Sequence, residues 1–159
     1  MVSCKAEDEF IENFGLFMES HSIFPRIAGR IYGYLLICSP PHQSAKDLVN
    51  RLRITKSSVS SMMRLLLQSK LVEEINLPGE RPRYYRIKER GWENIFLENL
   101  QAFSAIRALL GEGRSLLDNR EAEMLDRIEE LDELYAFFEK EMPPLIERWK
   151  KFRKKEIKR

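Results

Sequence analysis

From Thr55 to Gln68 the chain reads TKSSVSSMMRLLLQ, and the spacing of its polar groups has chemical content. At roughly 100° per residue along a helix, Met62, Met63 and Leu66 fall within about 60° of Val59, forming one apolar stripe. Ser57, Ser60, Ser61, Arg64 and Gln68 fall on the opposite side. Short hydroxyls and one guanidinium allow such a face to lie close against a polynucleotide. Serines hydrogen-bond phosphates or bases, and arginine makes the bidentate contact to guanine that dominates direct readout. The alternative is an ordinary solvated face, but exposed helix positions more often carry Glu, Lys or Ala, which form helices better than serine. With four serines in the five residues from Ser57 to Ser61, the pattern favours a contact surface.

Neighbouring elements must position this face. Thr55 is a suitable N-cap, with Lys56 at the first helical position. Upstream, Ser44 and Asp47 have capping-box spacing and open a helix with Ala45, Leu48 and Leu52 on one side. Between Leu52 and Thr55 only a short turn fits, the connection that sets two helices at a steep angle. Downstream, the Leu71–Leu77 and Tyr84–Ile87 segments are β-prone and flank PGERPR, whose Pro-Gly pair turns the chain. Arg81 and Arg83 are expected at this tip, where long cations enter a minor groove or clamp a phosphate. The candidate DNA-binding set is Ser44, Thr55, Lys56, Ser57, Ser58, Ser60, Ser61, Arg64, Arg81 and Arg83, with Ser58 and Ser60 nearer the backbone.

The run LRITKSSVSSMMRLLLQSKLV followed by GERPRYYRIKERG resembles the winged helix-turn-helix of the MarR superfamily of transcriptional regulators. PRIAGRIYGYLLICSPP and the GER…YY wing look most like its GbsR branch, which is linked to osmoprotectant genes. The similarity spans Phe24 to Gly91. The commoner MarR wing has Asp-x-Arg at its tip and often a Thr where this chain has Lys88. The resemblance implies a homodimer on a pseudo-palindromic operator in double-stranded DNA, a repressor role, and a small-molecule effector. For the GbsR branch that effector would be a quaternary ammonium compound such as choline or betaine. Phe14, Phe17, Tyr32, Tyr34, Trp92 and Phe96 could hold one by cation–π contact, or could simply be core.

The expected architecture is mainly α with a small β-wing, an α+β winged helix-turn-helix with N- and C-terminal dimerisation helices. Its parts are an N-terminal helix over 1–22, the DNA-binding domain over 23–91, and a C-terminal helical region with a basic tail over 92–159. The 159 residues suit one core with extensions, and the formal charge of +2 favours a localised basic surface over a histone-like coat. Cys4 and Cys38 lack ligand spacing and read as reduced thiols. With neither a membrane span nor a signal-peptide pattern, a cytoplasmic protein is expected.

Phe10, Phe14 and Phe17 recur at helical spacing in an acidic segment from Lys5 to Ser20. The next helix is predicted to begin at Pro25, with Ala28, Gly29 and Gly33 allowing close approach. Arg26 and Arg30 lie one turn apart, placed to pair with acids of the first helix, to form an effector site or to reach DNA. After the wing, a helix from Trp92 is expected to stop at Gly111-Glu-Gly113. An acidic helix is expected from about Asp118 to Met142, broken by Pro143-Pro144 and followed by another. The long apolar stripes of these helices require cover, either from a second chain or from the first helix. KKFRKKEIKR at the end reads as a solvated tail or a phosphate contact. His21 and His42 lack a catalytic setting, and no phosphate loop or metal-ligand spacing occurs, so neither enzyme activity nor a cofactor or metal is expected. A winged helix used only for protein assembly is the alternative function.

Overall fold

In the computed structural model, which describes residues 4–117 and 122–156, α1 (Cys4–Ser20) packs along α2 (Arg26–Ile37). Small residues permit the approach: a Cβ on Gly29 would stand 2.9 Å from Gly15 Cα, and one on Gly33 would stand 3.0 Å from Phe14 Cβ. Helix α1 closes in a Schellman motif, with the Ser22 amide on the Glu19 carbonyl (3.0 Å) and the Ile23 amide on that of Met18 (2.9 Å). Ser22 takes the left-handed conformation this needs, φ 54°. Pro25 is the N-cap of α2 rather than its first residue, because its ψ of 145° is extended.

A cis Ser39-Pro40 bond precedes β1 (Gln43–Ser44), which the sequence reading did not anticipate. Then come α3 (Ala45–Leu52), α4 (Lys56–Gln68), β2 (Val72–Asn76) and β3 (Arg83–Ile87). The three strands form an antiparallel sheet in the order β1-β3-β2, with Ser44 opposite Tyr84 and Val72 opposite Ile87. Helix α4 ends in a second Schellman motif, Lys70 N to Leu67 O at 3.0 Å and Leu71 N to Leu66 O at 3.2 Å, with Lys70 at φ 56°. Between β2 and β3 the Glu80 amide donates to the Leu77 carbonyl at 3.1 Å around Pro78 and Gly79. Gly79 has φ 81°, as the third position of a type II turn demands.

The core beneath these elements joins Ala28, Ile31, Tyr32 and Leu35 of α2 to Leu48 and Leu52 of α3, Val59, Met63 and Leu66 of α4, and Leu71 and Val72. At about 1.5–3 kcal/mol per buried large side chain, the three from α4 fix that helix firmly. The expected mainly helical fold with a small β-wing is therefore present.

The chain divides into two compact units, Met1–Trp92 and Glu93–Arg159. The second holds most of α5 (Gly91–Ser115) and all of α6 (Ala122–Glu156). These run antiparallel, linked by Glu93–Lys150 (2.8 Å), Phe103–Tyr135 (5.3 Å between centroids), Arg107–Asp132 (2.7 Å) and Arg114–Glu129 (2.7 Å). Two expected helix ends are corrected here. Helix α5 does not stop at Gly111-Glu-Gly113: neither glycine has a positive φ, and the Arg114–Glu129 pair lies beyond them. Helix α6 runs through Pro143 and Pro144. The proline φ is itself helical, so the local loss is confined to two amide donors and crowding of the carbonyls one turn back. Beyond it, Ile146 is buried and Lys150 bridges Glu93 and Glu147. The acidic helix's expected start near Asp118 and the chain's last three residues lie outside the described residues.

Candidate nucleic-acid interface

Thr55 caps α4: its Oγ1 accepts the Ser58 amide at 3.1 Å and lies 2.9 and 2.8 Å from the hydroxyls of Ser57 and Ser58. Three hydroxyls therefore cluster at a helix N-terminus, where first-turn amides lack carbonyl partners and the dipole favours an anion. From this end the helix divides as its periodicity requires. Val59, Met63 and Leu66 are buried, Met62 is half-buried at the margin, and Lys56, Ser57, Ser60, Ser61 and Arg64 are exposed.

Charge pairing separates these cations from others in the protein. Arg26, Arg30, Arg51, Arg83, Arg86, Arg107 and Arg114 each pair with a carboxylate. Lys56, Arg64 and Arg81 have no ion pair among the described residues. A cation without an internal partner keeps its full attraction for a phosphate.

Two expected contacts are placed differently. Ser44 is only 7 % exposed, and its hydroxyl is committed to the α3 capping box, donating to Asp47 Oδ2 at 2.6 Å and accepting the Asp47 amide at 3.2 Å. It is a structural cap and not part of the exposed face. Arg83 is not at the wing tip: it is the first residue of β3, opposite Asn76, with its guanidinium 3.3 Å from Glu74 of the adjacent strand. Arg81 lies in the exposed connection.

Tyr85 was missed. It lines a groove of about 340 Å³ with Ala45, Lys56, Ser60, Met63 and Arg64, beside the polar face of α4. Burial pushes its phenol above the usual range, and a hydrogen bond to Glu80 does the same for Tyr84, so both rings stay neutral. The strand alternation of RYYRI was the only sequence signal for Tyr85.

The aromatic residues considered as a cation cage have packing partners. Tyr32 is buried between Phe14 (5.9 Å) and the edge of Trp92 (6.0 Å), and desolvation raises its phenol's pKa. Tyr34 already carries a cation, the Arg51 guanidinium at 5.3 Å. Phe17 is half-exposed and stacks on His21 (4.2 Å). Cys38 is half-buried at the end of α2, and burial raises its thiol's pKa. Among the described residues no acid–His–Cys cluster could hold a metal, and no helix is long and apolar enough to cross a membrane.

A steep helix pair whose second member is anchored from beneath and polar outside, followed by a hairpin with an unpaired arginine at its turn, defines a winged helix-turn-helix DNA-binding protein. The chain belongs to the MarR family of transcriptional regulators. It is 30% identical over 131 residues to the HTH-type transcriptional regulator MmpR5 of Mycobacterium tuberculosis, spanning 82% of this chain and 79% of that protein. Residues 90–153 match the model of the MmpR5-like MarR family transcriptional regulators. A crystal structure described as a transcriptional regulator superposes with a TM-score of 0.78 at 27% identity, covering 92% of this chain and 99% of that one. MepR, a transcription regulator of the Staphylococcus aureus multidrug efflux pump MepA, superposes with a TM-score of 0.43 at 17% identity, covering 84% and 93%. The protein is thus a DNA-binding transcriptional regulator.

Proposed function

We propose that the protein is a cytoplasmic, homodimeric repressor without catalytic activity that binds a pseudo-palindromic operator. The observation that carries this reading is the exposed, unpaired Arg64 and Lys56 among hydroxyls on a helix whose other side is core. In such a dimer the two α4 helices enter successive major grooves about 34 Å apart. Arg64 reads a base edge, Lys56, Ser57 and Ser61 contact groove and phosphate, Thr55, Ser58 and Ser60 approach the backbone, and Arg81 adds the wing contact. Dimerisation by the 92–159 region is supported by apolar side chains left open on α5 and α6, among them Leu109 (63 % exposed), Phe137 (58 %) and Phe152 (64 %).

The finer placement in the GbsR branch, with a quaternary ammonium effector, rests on the PRIAGRIYG helix and the GER wing. A shift in the melting temperature with millimolar choline or betaine supports that version, and no shift removes it. The DNA-binding reading is tested by selecting bound fragments from the source genome with wild type, Arg64→Ala and Arg81→Ala. One pseudo-palindromic motif, relaxed by Arg64→Ala, is the expected result. Recovery of no motif, with weak salt-sensitive binding indifferent to both changes, would instead indicate a winged helix used for protein assembly.

A further inference from the structure

The turn that delivers α4 is tied to α1 by ionic groups across an open cleft. On α2, Arg30 donates from Nη2 to the Leu52 carbonyl at 3.1 Å, and its Nε lies 3.1 Å from Glu12 Oε2 of α1. Leu52 is the last residue of α3, where carbonyls lose their intrahelical donors, and Arg53 follows in the left-handed conformation at φ 52°. The Arg30 stem reaches this point because Gly15 has no side chain: a Cβ there would stand 2.6 Å from Arg30 Cγ. Glu12 is itself held by Arg26, whose Nε donates to Oε1 at 2.7 Å. Nearby, Arg51 at the end of α3 pairs with Glu7 (3.3 Å) and Asp8 of α1. Between α1 and the turn lies a cleft of about 660 Å³ lined by Asp8, Glu12, Asn50 and Arg53, so these ties bridge a gap that packing does not fill.

We infer that Arg30, oriented by Glu12, is a positioning residue for operator recognition: it fixes the end of α3 and thereby the turn from which the recognition helix starts. The inference rests on the DNA-binding reading above. The core side chains of α4 hold its underside, but the helix direction is set through Arg53, Ile54 and Thr55. A left-handed residue in that turn makes its geometry dependent on a brace. Arg30 acts through the turn and not on DNA, since its guanidinium is engaged by Leu52 and Glu12.

The test uses the full chain with Arg30→Met and Glu12→Gln, reading affinity for the selected operator and for unrelated DNA across salt, and amide exchange of residues 53–58 without DNA. Loss of one charge-assisted hydrogen bond predicts operator affinity about tenfold weaker for Arg30→Met, with unrelated-DNA binding and salt slope unchanged and turn amides exchanging about tenfold faster. Glu12→Gln shifts both readouts in the same direction by less, and carries the test alone if Arg30→Met does not fold. Equal loss on both DNAs with the salt slope lowered by about one overturns the inference in favour of a phosphate contact. Unchanged operator affinity or unchanged exchange overturns it as well. Failure of the wild type to select any motif defeats the regulator reading instead, while the exchange result still decides whether Arg30 fixes the turn.

Discussion

Ser44 and Asp47 hold each other: the serine amide donates to the aspartate carboxylate at 3.0 Å while the aspartate amide donates to the serine hydroxyl at 3.2 Å. The pair satisfies two donors that the start of α3 would otherwise leave open. Ser44→Ala is therefore expected to cost about 1 kcal/mol in denaturant unfolding. Operator affinity, measured where the variant is fully folded, is expected to stay within twofold. A tenfold loss in that folded state would return Ser44 to the DNA surface.

The two wing arginines are expected to behave differently. Arg81 has no described partner, so Arg81→Ala should lower the slope of log affinity against log salt by about one. Arg83 is shared with Glu74, and Arg83→Ala should change the slope by clearly less. Anisotropy titrations at four or more salt concentrations measure both, and equal slopes would contradict the strand assignment of Arg83.

How far the sequence carried depended on whether a feature was local. The caps at Ser44 and Thr55 were legible because cap chemistry lies within four residues, and the two faces of α4 because one helix turn separates them. Strand β1 was not, since Gln43 and Ser44 become a strand only through Tyr84 and Tyr85, some forty residues away. Helix ends at Ser22 and Lys70 carried no glycine to mark them. At Gly111, Gly113, Pro143 and Pro144 local chemistry indicated stops, and side chains bridging α5 and α6 outweighed it. Within the candidate site, Arg83 was misplaced and Tyr85 missed for one reason: both positions depend on strand register.

Arg107 holds Asp132 at 2.7 Å and Glu139 at 2.7 Å. Its hydrogen bond lowers the Asp132 pKa, and hydrogen bonds from Ser104 and then Arg107 lower that of Glu139. Acids depressed in the folded state add stability above their unfolded values and lose it as pH falls through the folded ones. The melting temperature of Arg107→Met should therefore lie below wild type near neutrality, with the gap closing below about pH 3. A gap independent of pH would mean that Arg107 acts through packing.

Ser22 closes α1 in a conformation that costs a residue with a Cβ about 1–2 kcal/mol. Part of that is offset by the extra freedom glycine has when unfolded. Ser22→Gly is expected to stabilise the protein by about 0.5–1 kcal/mol in thermal or denaturant unfolding, with DNA binding unchanged. A destabilised variant would show that the Ser22 side chain does more than occupy the turn.

Helix α4 keeps its two duties on separate residues. Val59, Met63 and Leu66 anchor it, Thr55 starts it and Lys70 ends it, whereas Ser57, Ser60, Ser61 and Arg64 support nothing beneath them. Replacing the outward set changes what is read without changing what folds. A lineage built on this scaffold is free to drift from one operator to another by single substitutions, each passing through a folded intermediate.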